Sequence, residues 1–188
     1  MEAFSAGTLA GAGSFRCQSC GFAIALQELD AVPSCPDCGG REFRRSSLFS
    51  RPSPRETAPP VEGRPGWLGE ARDALAEPGA YIAFEDDERV HVLPLQEGWT
   101  RIGRSLSAHV RFDDPTVSRR HALVYREDGG ARILDDRSLN GVYRNGDRVE
   151  LAELEDGDEI GVGRFRLFFM SLAEDGSRSA EGAATTVG

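Results

Sequence analysis

The sequence lacks lysine, any long apolar run, and cysteine after its first forty residues. Without a run of apolar residues long enough to cross a bilayer, it predicts no membrane-spanning segment. No basic residue precedes Arg16, which is unlike a secretory signal peptide. All 22 basic residues are arginine, which resembles the coding bias of a GC-rich bacterial genome and carries no mechanistic weight. These features predict a soluble cytoplasmic protein.

The charge balance is acidic. With 31 acidic and 22 basic residues, the formal net charge is −9, so bulk attraction does not favour nucleic acid as a partner. The same field would repel any other anionic partner. Salt screens exposed charges beyond about 8 Å at physiological ionic strength, so an anion would have to be held by local arginines.

Two Cys-x-x-Cys pairs lie near the start of the chain, each followed by glycine: Cys17 and Cys20, then Cys35 and Cys38. Each pair can form a tight turn whose backbone amides point at the first sulfur, and the glycine can adopt the positive φ that closes the turn. Four thiolates make a closed tetrahedral zinc site. The pattern resembles a zinc ribbon over residues 14–47, which implies one structural Zn²⁺.

A segment of about thirty residues cannot bury enough surface to fold unaided, so metal binding would supply folding free energy on the order of 10 kcal/mol. A rubredoxin-like iron centre, with the same four ligands, is an open alternative. From Ser14 to Ser46, four arginines and four acidic residues give zero net charge. Nucleic-acid contact is therefore not favoured, although a basic face with interleaved aromatics can be drawn from Arg41, Arg44, Arg45, Arg51, Phe43 and Phe49.

The remaining chain divides by composition. Residues 1–13 are small and predict a disordered N-terminus, and residues 48–78 predict a Pro-rich linker. Within that linker, four-residue spacing of Trp67, Ala71 and Leu75 predicts a short helix over 67–77. It either docks on a neighbouring domain or binds a partner. Residues 173–188 predict a flexible tail.

From residue 79 to 172 the pattern changes to short alternating strands separated by turns, which predicts a β-sandwich of about ten to eleven strands. Gly129-Gly130 and Asn145-Gly146 predict hairpin turns, the second of type I′. The predicted strands are 81–84, 90–93, 100–102, 110–112, 122–125, 131–134, 141–143, 148–151, 159–162 and 165–169.

Three loops between these strands carry residues able to fix an anion: Gly103-Arg104, then Thr116-Val117-Ser118-Arg119-Arg120-His121, then Ser138-Leu139-Asn140-Gly141. Their order and spacing resemble the forkhead-associated (FHA) domain, a phosphothreonine-reading family. The resemblance implies that Arg104 and Ser118 hold the phosphate, that Asn140 holds the peptide backbone, and that Arg119 lies alongside. It also implies that Gly103, His121 and Gly141 shape the loops.

Leu139 departs from the family pattern, because many members have Ser or Thr there to contact the phosphate. Ser138, one residue earlier, is therefore a secondary candidate. Two other interpretations concern the same loops. Arg104 could pair with a nearby carboxylate such as Asp113 or Asp114. Ser118 and His121 could also form a hydrolytic triad with Asp135 or Asp136, but no nucleophile elbow or oxyanion-hole segment accompanies them.

The sequence therefore predicts a non-enzymatic adaptor that binds threonine-phosphorylated proteins in Ser/Thr-kinase signalling, with the ribbon as a second interaction module. The kinase itself is a candidate partner. An alternative is a phosphorylation-responsive regulator whose ribbon contacts nucleic acid or the transcription machinery. Thr185 and Thr186 in the tail and Thr57 in the linker also raise the hypothesis that a phosphothreonine of the same chain enters the site.

Overall fold

The computed structural model describes residues 3–46, 63–127 and 130–173, and in this part of the chain the protein is mainly β with one helix. The elements, in chain order, are β1 (Ala3–Ser5), β2 (Gly13–Cys17), β3 (Ala23–Leu26), β4 (Glu42–Ser46), α1 (Trp67–Asp73), β5 (Gly79–Asp86), β6 (Arg89–Pro94), β7 (Gly98–Gly103), β8 (Val110–Arg111), β9 (Ala122–Glu127), β10 (Gly130–Asp135), β11 (Val142–Arg144), β12 (Asp147–Val149), β13 (Leu151–Leu154), β14 (Glu159–Val162) and β15 (Phe165–Leu172).

The N-terminal unit is a four-stranded sheet in the order β1-β4-β2-β3. Phe15, Ile24 and Phe43 are fully buried in its small core. For residues 3–13, the structure corrects the prediction of a disordered segment over 1–13, because β1 pairs with β4 and the Phe4 ring packs edge-on against Phe15 at 5.2 Å. Strand pairing, the Phe4 ring and backbone bonds such as that from the Gly7 N–H to the Val32 carbonyl at 2.7 Å hold a segment whose small, polar composition had predicted disorder.

Eleven strands, β5 to β15, form a sandwich of a five-stranded sheet, β13-β10-β9-β7-β8, and a six-stranded sheet, β12-β11-β14-β15-β5-β6. Alternate residues of both sheets meet in one core, in which Phe112 stacks on Phe165 and meets Phe84 edge-on. The predicted β-sandwich and its strand number are confirmed. The single strand predicted over 148–151 is two strands, because the chain leaves the six-stranded sheet after β12 and enters the five-stranded sheet at β13.

Two hairpin turns use positive backbone φ. Asn145 and Gly146 have φ of 52° and 92° between β11 and β12, as the predicted type I′ turn requires. Asp87 and Glu88 form a second such turn between β5 and β6, with φ of 48° and 60°. The second turn contains no glycine, so its sequence gave little indication of it. Of the predicted Gly129-Gly130 turn, Gly129 lies outside the described residues.

Helix α1 ends at Asp73, earlier than predicted, and packs on the outer face of the six-stranded sheet. Leu68 and Ala71 are buried, and the Trp67 ring meets Phe168 edge-on at 5.7 Å. The Arg72 guanidinium pairs with Asp156 at 2.5 Å. Of the two alternatives for this helix, the structure shows docking on a neighbouring domain. The linker before residue 63 and the tail after residue 173 lie outside the described residues, and none of the described helices is long and apolar enough to span a membrane.

Candidate functional site

A buried histidine joins two of the three site loops. His121 is fully buried, its Nδ1 accepts a hydrogen bond from the Ser118 backbone N–H at 3.1 Å, and its Nε2 lies 3.1 Å from the Gly141 carbonyl. Because Nδ1 is an acceptor, Nε2 carries the proton and donates to that carbonyl. Burial lowers the pKa of His121 to about 4, so the ring is neutral near pH 7. The bracing role of His121 stays a prediction, and these two hydrogen bonds are the contacts through which it would act.

The remaining site loop, Gly103-Arg104, is attached to the Ser118 loop through the close approach of their backbones. The Arg104 N–H donates to the Ser118 carbonyl at 2.9 Å, and the Ser105 N–H donates to the Arg119 carbonyl at 3.1 Å. A Cβ atom on Gly103 would lie 2.4 Å from the Arg119 carbonyl oxygen. Glycine is therefore required at 103 by steric contact, since its φ is not positive.

Two arginines of the site have side chains with no hydrogen-bond partner among the described residues. Within the described residues, Arg104 and Arg119 make no side-chain hydrogen bond or ion pair. Arg104 is half-buried, whereas Arg119 is exposed. The carboxylates considered as partners for Arg104 are engaged elsewhere, Asp113 with Arg111 at 2.8 Å and Asp114 with Arg164 at 2.6 Å. The loops thus present guanidinium groups that can donate hydrogen bonds to an anion.

The two serines have different surroundings. Ser118 Oγ accepts a hydrogen bond from the Leu139 N–H at 3.0 Å, which leaves the hydroxyl hydrogen available to a ligand. Ser138 is buried, and its Oγ accepts from the Gly141 N–H at 2.8 Å within the turn. His121 contacts the backbone N–H of Ser118 and not its hydroxyl, so these contacts do not form a Ser-His pair of the hydrolytic type.

Asn140 connects the site to the N-terminal sheet. Its Oδ1 accepts from the Ala23 N–H at 2.9 Å, and its Nδ2 donates to the Ala23 carbonyl at 2.8 Å and to the Thr116 carbonyl at 3.0 Å. The residue expected to hold a peptide backbone therefore holds a backbone of the same chain. No sequence pattern linked Ala23 to Asn140, which lie 117 positions apart.

Arg148 is a site neighbour that the sequence reasoning missed. A Cβ atom on Gly141, whose φ is +90°, would lie 2.6 Å from its Nε. Arg148 lies on β12, directly after the predicted Asn145-Gly146 turn. Only its place in that hairpin, opposite Tyr143, could have indicated that it returns to the Asn140 loop.

The four cysteines form one cluster. Their sulfur atoms all lie within 4.8 Å of one another, with Cys17 and Cys38 3.6 Å apart and Cys20 and Cys35 3.5 Å apart. Thiolates around a tetrahedral metal at about 2.3 Å would be about 3.8 Å apart, so the cluster fits a Cys₄ metal site. The glycine after each pair has positive φ, as predicted, 77° at Gly21 and 70° at Gly39.

The cysteine thiols differ in acidity even within one pair, since burial raises the pKa of Cys20. Burial acts to raise the pKa of Cys17, but backbone N–H groups of Cys20 and Ser19 outweigh it and lower that pKa to about 7. Burial raises the pKa of Cys35 to about 11. A metal therefore has to displace a proton from at least one buried thiol as it binds.

Family comparisons decide the identity of both units. The family model of the FHA domain matches residues 100–163, and that of a zinc-ribbon containing domain matches residues 1–47. The chain is an FHA-domain protein with an N-terminal zinc ribbon. The zinc-ribbon match includes β1, in agreement with the sheet described above.

Relatives of the FHA domain occur among curated bacterial proteins. The glycogen accumulation regulator GarA of Mycolicibacterium smegmatis is 43% identical over 77 residues, 41% of this chain and 49% of that protein. The oxoglutarate dehydrogenase inhibitor of Corynebacterium diphtheriae is 44% identical over 71 residues, 38% of this chain and 50% of that protein. The chain thus spans about half the length of these relatives.

A solved FHA structure from work on phosphothreonine-dependent FHA domain interactions is 32% identical. The match covers 48% of this chain and 94% of that one, with a TM-score of 0.45.

Proposed function

We propose that this protein is a phosphothreonine-peptide-binding adaptor in Ser/Thr-kinase signalling. The observation that carries the proposal is the uncommitted Arg104 guanidinium on the loop cluster that His121 and Gly103 hold together. A phosphate carries a charge of about −1.5 to −2, and a guanidinium can donate two hydrogen bonds to it.

Each residue of the loops makes a different contact with the phosphopeptide. Arg104 binds the phosphate oxygens, the Ser118 hydroxyl donates to the same group, and Arg119 adds positive charge at the exposed side. Asn140 takes the peptide backbone beside the phosphothreonine. Ser138 contributes by shaping the turn, since its Oγ is bonded to the Gly141 N–H. The site holds its ligand and requires no covalent step, so the role is binding and not catalysis.

Threonine is preferred over serine if its γ-methyl group enters a small apolar space beside the phosphate. Burying one methyl contributes about 0.8 kcal/mol, and a fitted pocket contributes about 1 to 3 kcal/mol, or roughly ten- to two-hundredfold in affinity. An aspartate has less charge and a different shape, so it is a poor mimic.

The ribbon holds one structural Zn²⁺ through Cys17, Cys20, Cys35 and Cys38, and serves as the second interaction module. Four protein sulfurs leave no open position for a reacting water. A Cβ atom on Gly40 would lie 3.0 Å from the Cys17 sulfur and 3.2 Å from the Cys38 sulfur, so glycine gives the cluster its space. When bound, the metal supplies folding free energy and no chemistry.

Partners of this adaptor are threonine-phosphorylated proteins, with a Ser/Thr kinase among the candidates, and its site of action is the cytoplasm. We assign residues 79–172 to the FHA domain and residues 48–78 to the segment that connects it with the ribbon. The names of the two curated relatives, a regulator and an inhibitor, support a regulatory role without indicating the target.

The test is a degenerate phosphothreonine peptide library presented to the full-length protein. The best sequence is then synthesised with phosphothreonine, phosphoserine, threonine or aspartate at the central position, and its affinity is measured by titration calorimetry. We expect phosphothreonine to bind roughly ten- to two-hundredfold more tightly than phosphoserine. Equal binding of the unphosphorylated peptide would contradict the proposal.

A further inference from the structure

The zinc ribbon contacts the FHA loops through the backbone of strand β3. The Ala23 N–H and carbonyl both bond to the Asn140 amide, at 2.9 and 2.8 Å, and the Ala25 N–H donates to the Pro115 carbonyl at 2.8 Å. Ala23 is only 1% exposed. The FHA loops therefore bind an extended strand through its main chain.

Strand β3 is the edge of the ribbon sheet, and β2 occupies its other side. On that inner side, the Cys17 N–H donates to the Phe22 carbonyl at 2.9 Å. Because alternate residues of a strand direct their backbone groups to opposite sides, Ala23 and Ala25 direct theirs outward. An edge strand with unpaired N–H and C=O groups is the kind of element that a peptide-binding groove accepts.

This contact uses the whole hydrogen-donating capacity of Asn140. One Nδ2 hydrogen is donated to Ala23 and the other to Thr116, while Oδ1 accepts from Ala23. A side-chain amide has only two N–H donors. The Asn140 amide cannot hold a second peptide backbone until Ala23 leaves it.

We infer that strand β3 is an internal, phosphate-free competitor for the peptide-binding groove, so that binding of a phosphothreonine partner displaces the ribbon. The inference rests on the proposed function, since it assigns Asn140 to both backbones. Displacement uncovers the outer edge of β3, and the ribbon becomes free when the FHA domain is loaded. Phosphopeptide binding is thereby coupled to exposure of the second module.

The test compares Ala25→Pro with Ala25→Ser in the full-length protein. Proline removes the N–H that bonds to Pro115 and leaves the bonds between β3 and β2 in place, because that N–H faces outward. Serine keeps the N–H at the same position. Peptide affinity and the hydrogen exchange of the Ala23 and Cys17 amides are measured for both variants, and retained protection of Cys17 shows that the ribbon is folded.

We expect Ala25→Pro to bind the library-selected phosphothreonine peptide about tenfold more tightly than Ala25→Ser, because less of it is in the blocked state. In the unaltered protein, the Ala23 amide should be protected without peptide and should exchange at least tenfold faster at saturation. Equal affinities of the two variants would overturn this inference but not the proposed function. An Ala23 amide that stays protected at saturation would have the same consequence. Rapid exchange of the Ala23 amide without peptide would also overturn it. Failure of every variant to bind phosphopeptide would overturn the proposed function, and the inference with it.

Discussion

His121 joins the Ser118 and Gly141 loops only while its ring is neutral, since Nδ1 must accept a hydrogen bond. Burial lowers its pKa to about 4 from 6.5. Between these values the unfolded chain binds the proton and the folded protein does not. The stability contributed by the neutral ring is thus complete above about pH 6.5 and is lost as the pH falls towards 4.

We predict that this residue alone removes on the order of 3 kcal/mol of unfolding free energy between pH 7 and pH 4. Urea unfolding at both pH values measures the loss. His91→Gln, at an exposed position, should retain the full pH dependence, whereas His121→Gln should lose that part of it. The same pH dependence in both variants would show that His121 does not titrate as described.

At the level of elements, Asp158 fixes the β11–β12 turn to the turn that connects β13 with β14. Its carboxylate accepts from Arg144 Nε and Asn145 Nδ2, both at 2.6 Å, and from the Glu155 N–H at 2.7 Å. Its side chain is only 6% exposed. The β11–β12 hairpin and the chain entering β14 therefore depend on one buried carboxylate.

We predict that Asp158→Ala lowers the free energy of unfolding by about 2 to 4 kcal/mol, because it removes the acceptor of Arg144 Nε, Asn145 Nδ2 and the Glu155 N–H. Asp147→Ala, an exposed position on the same hairpin, should stay within about 0.5 kcal/mol of the unaltered protein. Chemical denaturation of both variants makes the comparison. Similar losses in the two variants would contradict this role of Asp158.

Much of the sandwich could be predicted because alternating apolar residues and the Asn145-Gly146 turn are local features. The division of 148–151 into β12 and β13 was not local, since it depends on which sheet each half joins. The Asp87-Glu88 turn was missed because residues other than glycine adopt its positive φ. The loop residues could be named from their spacing, whereas the contact of Asn140 with Ala23 depends on how two units pack and leaves no pattern in the sequence.

At the level of the whole molecule, the ribbon and the FHA domain should respond differently to loss of metal. The ribbon has a small core of its own, whereas the sandwich core contains no cysteine. We predict that a strong chelator unfolds the ribbon and leaves the FHA domain folded. Amide spectra should show collapse of the signals from residues 3–46 and retention of those from β5 to β15.

Loss of the ribbon fold also removes the edge strand from Asn140, so the chelated protein should bind the phosphothreonine peptide more tightly. Cys38→Ser should reproduce both effects, and Ser34→Ala, at an exposed position between the two cysteine pairs, is the matched control. Mass spectrometry of the native protein should show one Zn²⁺ per chain. A ribbon spectrum that survives chelation would contradict the structural role of the metal.

If Arg104 provides the phosphate-binding charge, its replacement should weaken binding, and this is measured by titrating the selected phosphothreonine peptide into Arg104→Ala and Arg104→Lys. For Arg104→Ala we predict a loss of about 2 to 5 kcal/mol of binding free energy, since a desolvated charge partner of the phosphate is removed. Lysine should restore part of this loss through charge without the two-pronged geometry. Arg101→Ala, which changes an exposed arginine on β7, the strand that precedes Arg104, should bind normally. Binding of the peptide to Arg104→Ala as tightly as to the unaltered protein would show that Arg104 does not hold the phosphate.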